Sequence, residues 1–166
     1  MEAADQEKIL SVINEQFDGE IIESGMVRDF FTIVLKKEKI VEIIRHLYHH
    51  AETEFQFLTT LCGIHFPDQN QMAVMYQLHN LKTNKRVRLK IFMPDDKPEV
   101  NTLTTVFPAA NWMERETFDF FGIIFSGHPN LKRILNVEEM TIHPLRKEYP
   151  LEDQSREDKK DFMFGR

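Results

Sequence analysis

Cysteine is almost absent from this chain: Cys62 is the only one in 166 residues. A single thiol excludes an internal disulfide, and it excludes an iron–sulfur cluster held by this chain alone, because a cluster normally takes four thiolates. Long hydrophobic runs are missing too. No apolar stretch approaches the ~20 residues that a helix needs to cross a bilayer, so any membrane attachment is expected to come through partners. An excess of basic charge is also lacking. Lys and Arg number 21 against 27 Asp and Glu, a formal net charge of −6, which disfavours nonspecific affinity for nucleic acid or anionic lipid. The opening MEAADQEK has neither the basic and apolar regions of a signal peptide nor the Arg-rich character of a transit peptide, and it predicts a protein that stays where it is made.

What is present is ordinary for a globular domain: 42% hydrophobic and 29% charged residues, at a length that fits one core plus a tail. Residues 6–17 place Ile9, Val12, Ile13 and Phe17 near helical spacing, with Asp5 available as an N-cap and Gly19 as the stop. Two β-prone runs follow, around 21–22 and 30–35, separated by a turn at Ser24 and Gly25. In the next helix Ile40, Ile43, Ile44, Leu47 and Ala51 form one apolar stripe suited to lie on a sheet. Strands are expected at 56–66, 73–81 and 87–93, joined as a meander through polar loops. Helical pieces are expected near 102–107 and over 111–121, the latter stopping at Gly122. This order predicts an α+β fold, a two-layer sandwich of helices on a mostly antiparallel sheet. The expected division is a core domain over residues 1–128, which includes the 111–121 helix, and an extended partner-binding C-terminal segment over 129–166.

The most specific stretch is 112–135, WMERETFDFFGIIFSGHPNLKRIL. As a helix, 112–121 scatters Trp112, Met113, Phe118, Phe120 and Phe121 among Glu114, Arg115, Glu116 and Asp119, so no face is cleanly apolar and burial on more than one side is implied. Arg115 and Asp119 stand four apart and are expected to pair along the helix. Glu114 and Glu116 then need donors, for which Arg133, Arg146 or a partner's basic groups are the candidates.

The Glu114–Arg115–Glu116 triplet, Asp119 with Phe120, Phe121 and Gly122, and then His128, Lys132, Arg133, Ile134 and Leu135 closely resemble the diagnostic segment of the C-type subunit family of respiratory NADH:quinone oxidoreductase, complex I. The run HPLRKEYPL, with His143, Pro144, Arg146, Lys147, Tyr149 and Pro150, resembles the C-terminal motif of the same family. The resemblance implies a structural subunit of the peripheral arm, packed beside the large hydrogenase-like D-type subunit that helps form the quinone pocket. It implies attachment through the complex to the cytoplasmic face of the bacterial inner membrane. It also implies no cofactor on this chain, with NADH, FMN, iron–sulfur clusters and quinone used by other subunits. Counterparts occur in plastid-type NDH complexes and in membrane-bound hydrogenases, which the motif separates poorly.

Three groups of residues invite other readings. His46 and His50, four apart on a helix beside His49, have the spacing of a zinc pair but no third ligand nearby. Glu114, Glu116 and Asp119 with His128 suggest an acid/base cluster, yet carboxylates at this spacing radiate around a helix rather than converge, and no nucleophile motif accompanies them. The basic run Lys82, Lys85, Arg86, Arg88 and Lys90 lacks interleaved aromatic residues, and it reads as a solvated sheet face, a charge-guarded edge or a docking site for an acidic partner. In the tail, 141–166, Leu145, Tyr149 and Leu151 precede a polar run that ends in Phe162, Met163 and Phe164. That pattern predicts a strap held by partner subunits rather than by its own domain.

Overall fold

The structure, a computed structural model, describes residues 2–149. Helix α1 (Ala3–Gln16) leads into the hairpin β1 (Ile21–Val27) and β2 (Phe30–Leu35), followed by helix α2 (Ile40–His49). Three long strands come next: β3 (Phe57–Phe66), β4 (Gln71–Asn80) and β5 (Lys85–Pro94). The short strands β6 (Glu99–Asn101) and β7 (Ile124–Ser126) flank helix α3 (Ala110–Phe121). The five long strands form one sheet in the order β1-β2-β5-β4-β3, antiparallel except for the central β2–β5 pair, while β6 and β7 pair in parallel. This is the α+β sandwich that the element order predicts.

Strand periodicity decides which face holds the core. Val87, Leu89, Ile91 and Met93 of β5 stand opposite Leu78, Tyr76, Val74 and Met72 of β4, and all eight are buried. Ile40, Val41, Ile43, Ile44 and Leu47 of α2, with Ile9, Val12 and Ile13 of α1, complete this layer. Helix α3 joins the same face across β3, where Gly63 makes room for it. A Cβ at Gly63 would come within 2.8 Å of the Phe121 ring and 3.0 Å of Thr117. A larger residue there would therefore have to displace the Phe121 and Thr117 side chains from the strand.

Several local expectations are corrected. Helix α1 begins at Ala3, so Asp5 lies within its first turn and pairs with Lys85 of β5 at 2.5 Å instead of capping. The first hairpin turns at Arg28 and Asp29, not at Ser24 and Gly25. Arg28 takes the left-handed conformation at φ 54° that a two-residue turn demands, while Gly25 stays in the ladder opposite Thr32. Ala51 falls beyond the end of α2 and is exposed. Residues 102–107 form turns rather than a helix, and the two short strands β6 and β7 carry no sequence signal strong enough to have been read. The basic strand is not an edge: β5 lies in the middle of the sheet, because α2 carries the chain across before β3 begins.

From Pro129 to Tyr149 there is neither helix nor strand, and this segment lies against α3. Pro150 and the rest of the strap expected at 141–166, including Leu151, Phe162, Met163 and Phe164, fall outside the described residues.

Candidate functional site

The motif residues come together on α3 and the loops that wrap it. Ala110 opens the helix just after Pro108, with no side-chain cap. Gly122 closes it at φ 75°, donating its N–H to the Phe118 carbonyl at 2.8 Å, as a left-handed C-terminal glycine does. The three carbonyls beyond Phe118 would remain unpaired at an ordinary helix end. Here the 129–149 segment supplies their donors. Asp119 O accepts from Arg133 (2.9 Å) and from His143 Nδ1 (3.0 Å), Phe120 O from the Leu145 N–H (3.1 Å), and Phe121 O from Arg146 Nε (2.8 Å). Lys147 N–H donates to Nδ1 of buried His65 on β3 at 3.0 Å, tying the segment to the sheet as well. Residues 143–147 are thus held by their own domain, which corrects the expectation that only partners would hold them.

Asp119 is the centre of this arrangement and is fully buried. Its carboxylate accepts five hydrogen bonds: from the backbone N–H groups of Ile134, Leu135 and Asn136, from the Asn136 amide, and from Arg133 at 2.7 Å. Burial alone would raise its proton affinity. The Asn136 and Leu135 N–H groups, with Arg133 and the Asn136 amide, outweigh that and hold the carboxyl well below the usual Asp range. Arg133 is nearly as buried as its partner, at 8% exposure, and also donates to the carbonyls of Met140 (2.7 Å) and Ile142 (2.9 Å).

The expected Arg115–Asp119 pair does not form. Arg115 instead donates to the carbonyls of Lys132 (3.0 Å) and Arg133 (2.9 Å). The two helix residues divide one loop between them: Asp119 takes its N–H groups from 134–136 and Arg115 takes its carbonyls at 132–133. A loop laid along a helix leaves both kinds of backbone group to be satisfied, and an i, i+4 acid–base pair satisfies them better than it would satisfy itself.

Glu114 corrects the sequence reading in the same way. It is fully buried, but its partners are the Thr102 hydroxyl at 2.5 Å and the Leu103 N–H at 2.6 Å, not Arg133 or Arg146. With no cation in contact, burial dominates those two hydrogen bonds and pushes the carboxyl up to about 7. Glu116 is exposed, as are Lys132 and Lys147. His128 accepts the Asn130 N–H at Nδ1 (3.0 Å), which leaves Nε2–H for the Asn111 carbonyl (3.1 Å), so it clips the loop after β7 to the start of α3. Phe121 packs on the core at Gly63, Phe118 meets the His143 ring edge-on at 5.9 Å, and Phe120, Pro144 and Tyr149 are half-buried.

Asp119 and Glu114 therefore turn into separate sockets while Glu116 faces solvent, and these three carboxylates do not converge on a common point. Of the histidines read in the second helix, His46 Nε2 meets the Val12 carbonyl at 3.1 Å and His50, just past the end of α2, faces Glu15 at 3.8 Å, with the two rings 5.2 Å apart. Among the described residues no group of three or more His, Cys, Asp or Glu is placed to hold a metal, and no helix is long and apolar enough to cross a membrane. Trp112 on α3 (59% exposed) and Leu135 (64%), Val137 (64%) and Leu145 (41%) on the segment that lies against it show their apolar side chains to solvent. The sequence pattern did not single out Leu135 and Val137 as an exposed pair.

Fold and site together define an α+β domain whose last helix is clasped by its own C-terminal segment through a fixed set of acids, bases and one glycine. Residues 33–155 match the family described as respiratory-chain NADH dehydrogenase, 30 Kd subunit, and the chain belongs to that family. It is 39% identical over 138 residues to the NADH-quinone oxidoreductase C subunit of Methylobacterium sp. (strain 4-46), covering 82% of this chain and 64% of the relative. It is 38% identical to the C subunit of the same enzyme from Roseiflexus sp. (strain RS-1), covering 90% of this chain and 86% of the relative. Against the C subunit from Mycolicibacterium gilvum (strain PYR-GCK), at 35% identity, it spans 66% of the relative's length. The chain thus spans just under two thirds of the Methylobacterium and Mycolicibacterium relatives. Among solved structures it is similar to the Nqo5 trypsin-resistant fragment (1-134), with a TM-score of 0.56, 28% identity and coverage of 76% of this chain and 99% of that one. A chain of an archaeal membrane-bound sulfane sulfur reductase shares the fold, with a TM-score of 0.73 at 24% identity, covering 87% of this chain and 85% of that one.

Proposed function

We propose that this chain is a structural subunit of the peripheral arm of a proton-pumping NADH:quinone oxidoreductase. It packs beside the large hydrogenase-like subunit of the quinone site and supports electron transfer without a cofactor of its own. NADH, FMN, iron–sulfur clusters and quinone are used by other subunits, and the chain reaches the cytoplasmic face of the inner membrane only through the complex. Membership of the family, with relatives named as C subunits of NADH-quinone oxidoreductase over most of this chain, supports the reading. The observation that carries it is the division of labour on α3. The polar motif residues serve rigidity, with Asp119, Arg115, Arg133, His143 and Arg146 all bonded within the chain, while Trp112, Leu135, Val137 and Leu145 stand exposed. Apolar side chains exposed on a helix and on a segment already bonded to it suit a stable interface, since little ordering is left to oppose binding. Residues 129–166 are the segment that meets the partner, the described part of it through these side chains.

The test is affinity purification of the native complex through a tag on this chain, with mass spectrometry of its neighbours and assay of NADH:quinone activity. The expected result is co-purification with the hydrogenase-like subunit and the rest of the peripheral arm, and loss of both after Leu135→Asp with Val137→Asp. Elution of the chain alone, at monomer mass and with an activity of its own, overturns the proposal.

A further inference from the structure

The helices cover one face of the sheet, and the register shows what the other face carries. Three rows run across it: Gly25, Thr32, Arg88, Gln77 and Thr60; then Glu23, Val34, Lys90, Met75 and Cys62; then Phe92, Ala73 and Ile64. Ala73, Gln77 and Thr32 are buried between their neighbours on it. Around it Val34, Ile64, Met75 and Phe92 line a groove of about 320 Å³. A half-buried sheet face that no layer of the described residues covers is unusual for a domain that functions alone.

The cations in the middle of this face are held in a particular way. The Arg88 guanidinium lies 4.4 Å from the Phe30 ring centre and donates to Gln77 at 3.3 Å. The Lys90 ammonium lies over a pair of touching rings, 4.6 Å from the centre of Phe66 and 4.4 Å from that of Phe92, whose centres are 5.7 Å apart. The aromatic residues missing from the basic run in sequence are supplied by β2, β3 and β5. Among the described residues neither Arg88 nor Lys90 makes an ion pair, unlike Lys82 with Glu54 and Lys85 with Asp5 on the same hairpin. Burial first, and then the neighbouring Arg88, lower the Lys90 proton affinity, with Glu23 opposing them. In a chain of net charge −6, this face places three β5 cations, Arg86 and the two stacked ones, against the Glu23 carboxylate.

We propose that this open sheet face is a second docking surface, and that its occupant is an acidic, partly apolar polypeptide segment of a neighbouring subunit whose carboxylates pair with Arg88 and Lys90. Charge complementarity selects the occupant. A second copy of this chain across a two-fold axis would bring Arg88 and Lys90 against themselves, and an anionic lipid surface would repel the net negative body of the chain. The aromatic rings pre-orient both cations, so a carboxylate finds them already placed. The inference rests on the reading of the chain as a subunit of a larger complex, but it concerns a face distinct from the exposed apolar residues of α3 and the segment against it.

A water-soluble carbodiimide, which joins an amine directly to a carboxylate, tests it on the native complex purified through a tag on this chain. The expected products link Lys90 Nζ to an Asp or Glu of another subunit, and acetylation of Lys90 by acetic anhydride is slower by about tenfold or more in the complex than in the isolated chain. Arg88→Glu with Lys90→Glu lowers co-purification by a similar factor, while Arg88→Lys with Lys90→Arg retains it. Equal acetylation in both samples overturns the proposal. So does a link from Lys90 to a second copy, or to acidic residues of the chain's own 150–166. Flotation of the isolated chain with phosphatidylglycerol vesicles, lost in the Lys90→Glu variant, would assign the face to lipid and equally overturn it. If the oxidoreductase subunits co-purify while Lys90 stays reactive, this inference alone fails; if none co-purify, the function proposed above fails with it.

Discussion

Replacing Asp119 by Ala removes a fully buried carboxylate and leaves Arg133, 8% exposed, without its counter-ion. It also strips the acceptor from the N–H groups of Ile134, Leu135 and Asn136. Hydrogen bonds to a charged group contribute about 1.5–3 kcal/mol each, but the five made here share one carboxylate and do not add. The larger consideration is the uncompensated cation, for which breaking a buried pair costs roughly 3–5 kcal/mol. About 4 kcal/mol is therefore expected in urea unfolding of the isolated chain, or roughly 8–16 °C in Tm for a protein of this size. The pH dependence supplies an independent check. The folded-state proton affinity of Asp119 lies below the ordinary value of 3.8, so its contribution is fully present above that value and is lost as the pH falls through and below it. The gap between wild type and Asp119→Ala should narrow by about 1 kcal/mol on acidification from pH 6 to pH 3, the rest of the linked contribution being lost below pH 3. A cost under about 1 kcal/mol at neutral pH, or a gap that does not change with acid, would refute the account of Asp119 as the organising charge of the clasp.

Glu114 should show the opposite pH behaviour. Its folded-state value is raised from 4.5 to about 7, so the stability tied to its proton is present at low pH and lost as the pH rises through that window. Glu114→Gln should gain on wild type by roughly 3 kcal/mol between pH 5 and pH 8, and a constant difference in unfolding free energy would contradict it. Gly122→Ala must hold a Cβ at φ 75°, only 2.7 Å from the His143 ring. It should cost about 1–3 kcal/mol and speed hydrogen exchange at the Leu145 N–H, whereas unchanged exchange would show that the clasp does not depend on this glycine. Arg115→Ala should cost only about 1–2 kcal/mol in the isolated chain, because Asp119 keeps Arg133; a loss as large as that of Asp119→Ala would restore the direct Arg115–Asp119 pairing that the geometry rejects.

The elements and the family are legible in the residues alone. Apolar stripes at three and four residues define α2, alternation defines β3 to β5, and the spacing of Glu114, Asp119, Gly122, His128 and Arg133 is specific enough to recognise. These are local patterns, set by the periodicity of one helix or one strand. The bonding partner of each motif residue, by contrast, emerges only from the packed chain. Asp119 and Arg115 suit each other at four residues' separation, yet the loop at 132–136 offers both of them backbone groups that they satisfy instead. Glu114 could not be matched to Thr102 and Leu103 from the sequence, because those partners lie in a turn read as helix. The place of β5 in the middle of the sheet, and with it the stacking of Lys90 over Phe66 and Phe92, depends on a crossover through α2 that hydrophobic patterning does not encode. Satisfying buried polar groups is a property of the whole packed chain, so the identity of each partner waits on which segments the core brings together.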